Sequence, residues 1–70
     1  KRGGILMKVN GQTQPCPALL TVQALVQSRG LDPQRVAVEK NGHIIPRSRF
    51  AEETLCDADT VEIVQFVGGG

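Results

Sequence analysis

Few groups in this chain carry reactive chemistry, and the most suggestive of them lie together. Gly68, Gly69 and Gly70 follow directly on an apolar, β-branched run that closes with Phe66 and Val67. Lacking Cβ atoms, three successive glycines make a thin segment that reaches backbone conformations closed to other residues. Such a tail could enter a narrow channel and carry the Gly70 carboxylate into another protein's active site. An α-carboxylate has an ordinary pKa of about 3.3–3.7, so it is ionised at neutral pH. It could therefore attack the α-phosphorus of ATP held by a partner enzyme. The plain alternative is a frayed end with no chemical role.

The remaining reactive side chains are sparse. Cys16 and Cys56 have no CxxC spacing and no Cys/His pairing of the kind that binds zinc or exchanges thiols. Both are expected to be small packing residues. His43, the single histidine, is expected to be exposed and inert, one residue past a turn. Cys56 and His43 as nucleophile and base would make a very small enzyme, a reading that nothing in their spacing favours. No metal site is expected. Arg47 and Arg49 could steer an acidic partner, or belong to a solvated loop. Glu52, Glu53, Asp57, Asp59 and Glu62 read as a solvated acidic face, with complementing basic residues on a partner as the alternative.

Composition narrows the classes further. The chain has 70 residues, eight Lys and Arg against seven Asp and Glu, and a net charge of +1. That balance gives no basic field for a nucleic-acid backbone or an anionic membrane. Phe50 and Phe66 are the only aromatics, too few for a base-stacking platform. No apolar run approaches the length of a membrane span, and no signal-peptide pattern is visible. The chain is expected to work in the cytoplasm and to be monomeric when free.

The elements that would position the tail are legible as patterns. Ile5-Leu6-Met7-Lys8-Val9 reads as a strand with Met7 and Val9 on one face. Asn10-Gly11 signals a two-residue hairpin turn, because both central positions need positive φ. A short strand over residues 12–14 should follow, stopped by Pro15 and Pro17. Thr21 is placed to cap a helix over residues 22–29, whose Val22, Leu25 and Val26 fall on one side and whose end is marked by Gly30. Leu31 should pack back under that end. Val36 and Val38 share a face of a second hairpin, turned at Asn41-Gly42 and ended by Pro46. Asn41 and Gly42 are expected to serve the turn only. A helical turn anchored by Phe50 should precede the last strand, residues 60–67. There Val61 and Ile63 should face the helix, leaving Val64 and Phe66 on the open sheet face as a partner-binding surface. The order hairpin, helix, hairpin, strand is an α+β layer arrangement. With the last strand parallel to the first, it is the β-grasp layout, a mixed sheet of four to five strands on one helix.

Several stretches together resemble the ThiS family, the ubiquitin-like sulfur carrier proteins of thiamine thiazole biosynthesis. They are Met7-Lys8-Val9-Asn10-Gly11, Thr21-Val22-Gln23-Ala24-Leu25, and the segment from Val36 through Asn41-Gly42 to Pro46-Arg47. Asp59-Thr60-Val61-Glu62-Ile63-Val64 then runs toward the glycines. The likeness begins at Met7, which makes residues 1–6 an expected extension, 7–67 the ubiquitin-like domain and 68–70 the flexible glycine tail. One departure is Ala58, where the family commonly has Gly beside its acidic residue. The resemblance implies a non-enzymatic carrier. A ThiF-like adenylyltransferase would activate the Gly70 carboxylate, with ATP and magnesium held by that enzyme and no cofactor bound permanently here. Sulfur relayed from a cysteine desulfurase would give a C-terminal thiocarboxylate, and thiazole synthase would take the sulfur. Gly68 and Gly69 would supply clearance and reach. The small subunit of molybdopterin synthase has the same tail chemistry with a different acceptor. A ubiquitin-like modifier conjugated to lysines and a non-catalytic ubiquitin-like interaction domain are the other readings.

Overall fold

Both Asn-Gly pairs fold as their chemistry demands. Asn10 and Gly11 sit at φ 50° and 83°, and Asn41 and Gly42 at 53° and 84°. These are the left-handed values that a two-residue hairpin turn needs to match strand twist. The first turn joins β1 (Met7–Val9) to β2 (Gln12–Gln14), with Val9 opposite Gln12. The second joins β3 (Val36–Lys40) to β4 (His43–Ile44), with Lys40 opposite His43. The computed structural model describes residues 6–67. The expected lead-in, the expected strand residue Ile5, and Gly68, Gly69 and Gly70 lie outside them.

The helix α1 (Val22–Ser28) has only seven residues, too few to be stable alone. Its orphan amide donors are met from outside. The Val22 N–H donates to Glu53 O (2.9 Å), that of Gln23 to Phe50 O (3.0 Å), and that of Ala24 to the Thr21 hydroxyl (3.1 Å). At the other end the N–H groups of Gly30 and Leu31 donate to Gln27 O and Val26 O, the paired bonds of a Schellman ending, with Gly30 at φ 75°. Leu31 packs against the core beneath that ending.

The last strand, β5 (Thr60–Gln65), lies at the centre of the five-stranded sheet, in the order β2-β1-β5-β3-β4. It is parallel to β1 and antiparallel to β3. Met7, Val9, Val36, Val38, Val61 and Ile63 face inward and meet Val22, Leu25 and Val26 of α1, with Phe50 and Leu55 closing the core. The expected inward faces of β1, β3, β5 and the helix are thus the observed ones. The architecture is the α+β arrangement of a mixed sheet on one helix. Among the described residues, no helix is long and apolar enough to cross a membrane.

Four elements are shorter than their sequence patterns. Leu6 precedes β1, and α1 ends at Ser28 with Arg29 as its cap. β5 stops at Gln65, not at Val67, because Gln65 already faces Val36, the first residue of β3. Ile45 leaves β4, although its N–H still donates to Val38 O at 2.9 Å.

Ala58 has φ 74°, a left-handed value that costs an L-residue about 1 kcal/mol or more. Ala58→Gly removes that strain at the expense of extra freedom in the unfolded chain. The net result is a gain of about 0.5–1 kcal/mol in urea denaturation. A loss of stability would mean that the Ala58 methyl makes a contact outweighing its backbone strain.

Candidate functional site

Alternation along β5 sends Val61 and Ile63 into the core and leaves Val64 and Phe66 59% and 53% exposed. Val64 stands opposite Ala37 on β3. Ile44 on β4 stands opposite Glu39, which in turn faces Glu62 of β5, so Ile44 belongs to the same open face and is 68% exposed. The sheet thus presents an apolar strip of Val64, Ala37 and Ile44, with Phe66 where β5 ends and Glu39 and Glu62 between the strands. Val64 and Phe66 are where the sequence pattern places them. Ile44 was missed; its signal was Ile44-Ile45 in a strand beside Pro46, where only one of two neighbours can face inward, and Ile45 is the one that does.

Among the described residues, Phe66 is the last with a backbone tie, its N–H donating at 2.9 Å to the carbonyl of Arg35, just before β3. Val67 follows, 84% exposed. The expected reactive carboxylate of Gly70, and Gly68 and Gly69 before it, lie outside the described residues.

The strand that leads to this point is held by side chains from both hairpin turns. Asn10 receives the Ile63 N–H on its Oδ1 (2.7 Å) and donates from Nδ2 to Ile63 O (3.2 Å). Asn41 receives the Thr60 N–H on its Oδ1 (2.9 Å) and donates from Nδ2 to Asp59 Oδ1 (2.9 Å). The expectation that Asn41 serves only its turn is therefore corrected: it also fastens the start of β5.

The acidic stretch is only in part a solvated face: Glu52, Asp57 and Glu62 are exposed as expected, but Glu53 and Asp59 are not. Asp59 is buried, 8% exposed, and its other carboxylate oxygen accepts the Cys56 N–H at 2.9 Å. Lys40 Nζ lies 4.0 Å from Asp59 and 2.9 Å from Glu53, which Arg49 also approaches at 3.4 Å. Burial opposes the charge on Asp59, but hydrogen bonds from Asn41 and Cys56 and the Lys40 ammonium outweigh it and hold its pKa below the ordinary value. The Lys40 hydrogen bond lowers the Glu53 pKa in the same way, and the bond to Glu53 raises that of Lys40.

Cys56 is exposed and not a packing residue, because its backbone turns around the Asp59 carboxylate; Cys16 is half-buried against the core, as expected. The Asp59 charge and its 3.6 Å contact with the Cys56 thiol raise that thiol's pKa, which keeps it protonated and a weak nucleophile. Burial raises that of Cys16, helped by Asp57. His43 is exposed, as expected. Arg47 is not a free steering charge. Its Nε donates to Pro33 O (2.9 Å), its Nη2 to Val36 O (2.7 Å), and its guanidinium lies 5.9 Å from the centre of the Phe50 ring. Among the described residues, no pocket opens and no three His, Cys, Asp or Glu side chains gather to hold a metal ion.

Residues 7–70 match a family model described as the ThiS family. A sulfur carrier protein ThiS from Bacillus subtilis is 50% identical over 50 residues, 71% of this chain and 76% of that protein. A thiazole synthase from Paramagnetospirillum magneticum is 44% identical over 62 residues, which cover 89% of this chain but only 19% of that protein. The matching segment is thus about a fifth of that longer relative. The crystal structure of a thiamine biosynthesis protein (ThiS) from Geobacter metallireducens superposes with a TM-score of 0.76 at 32% identity, covering 93% of this chain and 99% of that one.

Proposed function

The chain belongs to the ThiS family, and from that membership we propose that it is a non-enzymatic sulfur carrier of thiamine biosynthesis whose reactive group is the Gly70 carboxylate. The observation that carries this reading is the position of β5. It is the central strand of the sheet, fastened on both sides, and it leads past an exposed apolar strip to Phe66, Val67 and the three glycines next in sequence.

A carboxylate is a poor acyl donor until it acquires a good leaving group. Attack by a Gly70 carboxylate oxygen on the α-phosphorus of ATP expels pyrophosphate and gives an acyl adenylate. A persulfide sulfur relayed from a cysteine desulfurase then displaces AMP to give an acyl disulfide, and a thiol reductant cleaves its S–S bond and leaves the thiocarboxylate. ATP and magnesium are held by a ThiF-like adenylyltransferase. Gly68 and Gly69 contribute clearance and reach, and the cytoplasm is the expected setting. Thiazole synthase is the proposed acceptor. The segment of similar sequence within a much longer thiazole synthase supports that choice.

The test is to incubate the chain with an adenylyltransferase, ATP and a sulfur source. Intact mass should rise by the replacement of one oxygen with sulfur, and thiazole synthase should then return it to its starting value. A mass that never changes rejects the carrier reading. Discharge by the large subunit of molybdopterin synthase, with none by thiazole synthase, rejects the thiazole assignment.

Val64 and Phe66 are the proposed docking residues for the adenylyltransferase. Phe66→Ala is expected to raise the KM of loading about five- to thirtyfold, the loss of one aromatic anchor. Its urea midpoint should stay at the parental value, because Phe66 is not among the core residues. Global unfolding of that variant would instead assign Phe66 to the core.

A further inference from the structure

We infer that Arg47 is a positioning residue for sulfur loading: by holding the turn that anchors Phe66, it fixes where the chain leaves the sheet on its way to Gly70. The inference rests on the carrier reading. It follows from three bonds that share one short segment. Pro33–Arg35 is a single 3-10 turn leading into β3. Its middle is exposed, and the only capping side chain is Asp32, which receives the Gln34 N–H at 2.9 Å. Arg35 O accepts the Phe66 N–H at 2.9 Å, the last backbone tie of β5.

Arg47 grips the carbonyls two residues before and one residue after that acceptor, Pro33 O from Nε at 2.9 Å and Val36 O from Nη2 at 2.7 Å. A planar guanidinium presents its N–H groups at fixed angles, so two bonds from one group set the orientation of the peptide units they reach. The buried Phe50 ring beneath the guanidinium supports it from the other side. Pro46 places Arg47 at the start of its own 3-10 turn, whose Phe50 carbonyl receives a helix N–H, so the arginine stands on an element tied to the core.

A carrier tail works by delivering its end to a distant reacting centre. Displacement of about 1 Å in such a geometry can cost about a hundredfold in rate. Loosening the turn at Arg35 shifts the origin of the tail, and the docking residue Phe66 with it, while Val64 and Ile44 on the open sheet face stay in place. Loss of Arg47 should therefore act mainly on kcat for loading, with a smaller rise in KM from the displaced Phe66.

The experiment compares Arg47→Ala and Arg47→Lys with the parent. Lysine keeps an aliphatic stem over Phe50 but replaces the planar fork by a single rotatable ammonium that does not fix the angle between its two bonds, so it also keeps the test open should the alanine variant fold poorly. Amide hydrogen exchange at Phe66 in the free protein is expected to quicken about three- to tenfold in both variants, with that of Val61 and Ile63 unchanged. The kcat of loading should fall about ten- to a hundredfold, with KM rising by less than in Phe66→Ala. Exchange that quickens equally along β5, or a raised KM at parental kcat, overturns the role. A parent that never loads overturns the carrier reading with it. Loading of the parent and both variants at one kcat overturns the Arg47 role alone.

Discussion

A chain extended by one residue beyond Gly70, or shortened to end at Gly69, folds as the parent does and takes up no detectable sulfur. The proposed chemistry needs a carboxylate oxygen in line with the α-phosphorus, at a near-attack separation of about 3–3.5 Å. One residue of extended chain spans about 3.3–3.6 Å. Lengthening or shortening the tail by one therefore displaces the carboxylate by the whole of the reacting distance. An amide where the carboxylate was has no anionic oxygen at all, so amidation of Gly70 serves as a third form. Stability is a separate matter, because the core runs from Met7 to Ile63. Urea midpoints of the three forms should agree with the parent within about 0.5 kcal/mol, the range of changes away from packed groups. Intact mass after incubation with the adenylyltransferase, ATP and a sulfur source is the readout. An extended or amidated form that still gains sulfur would place the chemistry elsewhere on the chain. Cys56 is poorly suited to that role, because Asp59 keeps its thiol protonated.

Most of the fold could be read locally. The two Asn-Gly turns, the Thr21 cap, the Gly30 ending and the inward faces of β1, β3 and β5 all follow from preferences spanning a few residues. The apolar strip was half legible for the same reason. Alternation along β5 exposes Val64 and Phe66, but placing Ile44 beside them requires knowing that β3 pairs with β5. The fastening of β5 was not legible. Asn10 and Ile63 are 53 positions apart, and Asn41 and Asp59 are 18. Turn chemistry explains each asparagine without hinting at a second use. Arg47 was misread because an exposed loop arginine and one gripping two carbonyls look alike until the Pro33–Arg35 turn is in place. The acidic stretch misled similarly. Five carboxylates close in sequence suggest a solvated face, but the strand order turns Asp59 inward toward Asn41 and Lys40.

Asp59→Ala is expected to cost about 2–4 kcal/mol, because it leaves the Asn41 amide and the Cys56 N–H without their acceptor and removes the counter-charge to Lys40. A chain of this size has about 4–10 kcal/mol in total, so the variant gives up a large share of its stability. The loss exceeds that of an exposed ion pair because Asp59 is almost fully buried. Acid should reproduce part of it. The folded-state pKa of Asp59 lies below its ordinary 3.8, so the unfolded chain binds the proton more tightly. Its contribution is then complete above the unfolded-state value and is lost as pH falls through the lower folded-state value. Glu53 shifts in the same direction but is more exposed, so its share should be smaller. Urea midpoints of the parent should therefore hold steady from neutral pH to about 5 and drop steeply below about 4, whereas Asp59→Asn should start lower and lose less over that interval. Parallel acid profiles for parent and Asp59→Asn would assign the acid sensitivity to other carboxylates. An Asp59→Ala midpoint equal to the parent's would mean that Asn41 can hold the start of β5 without its acidic partner.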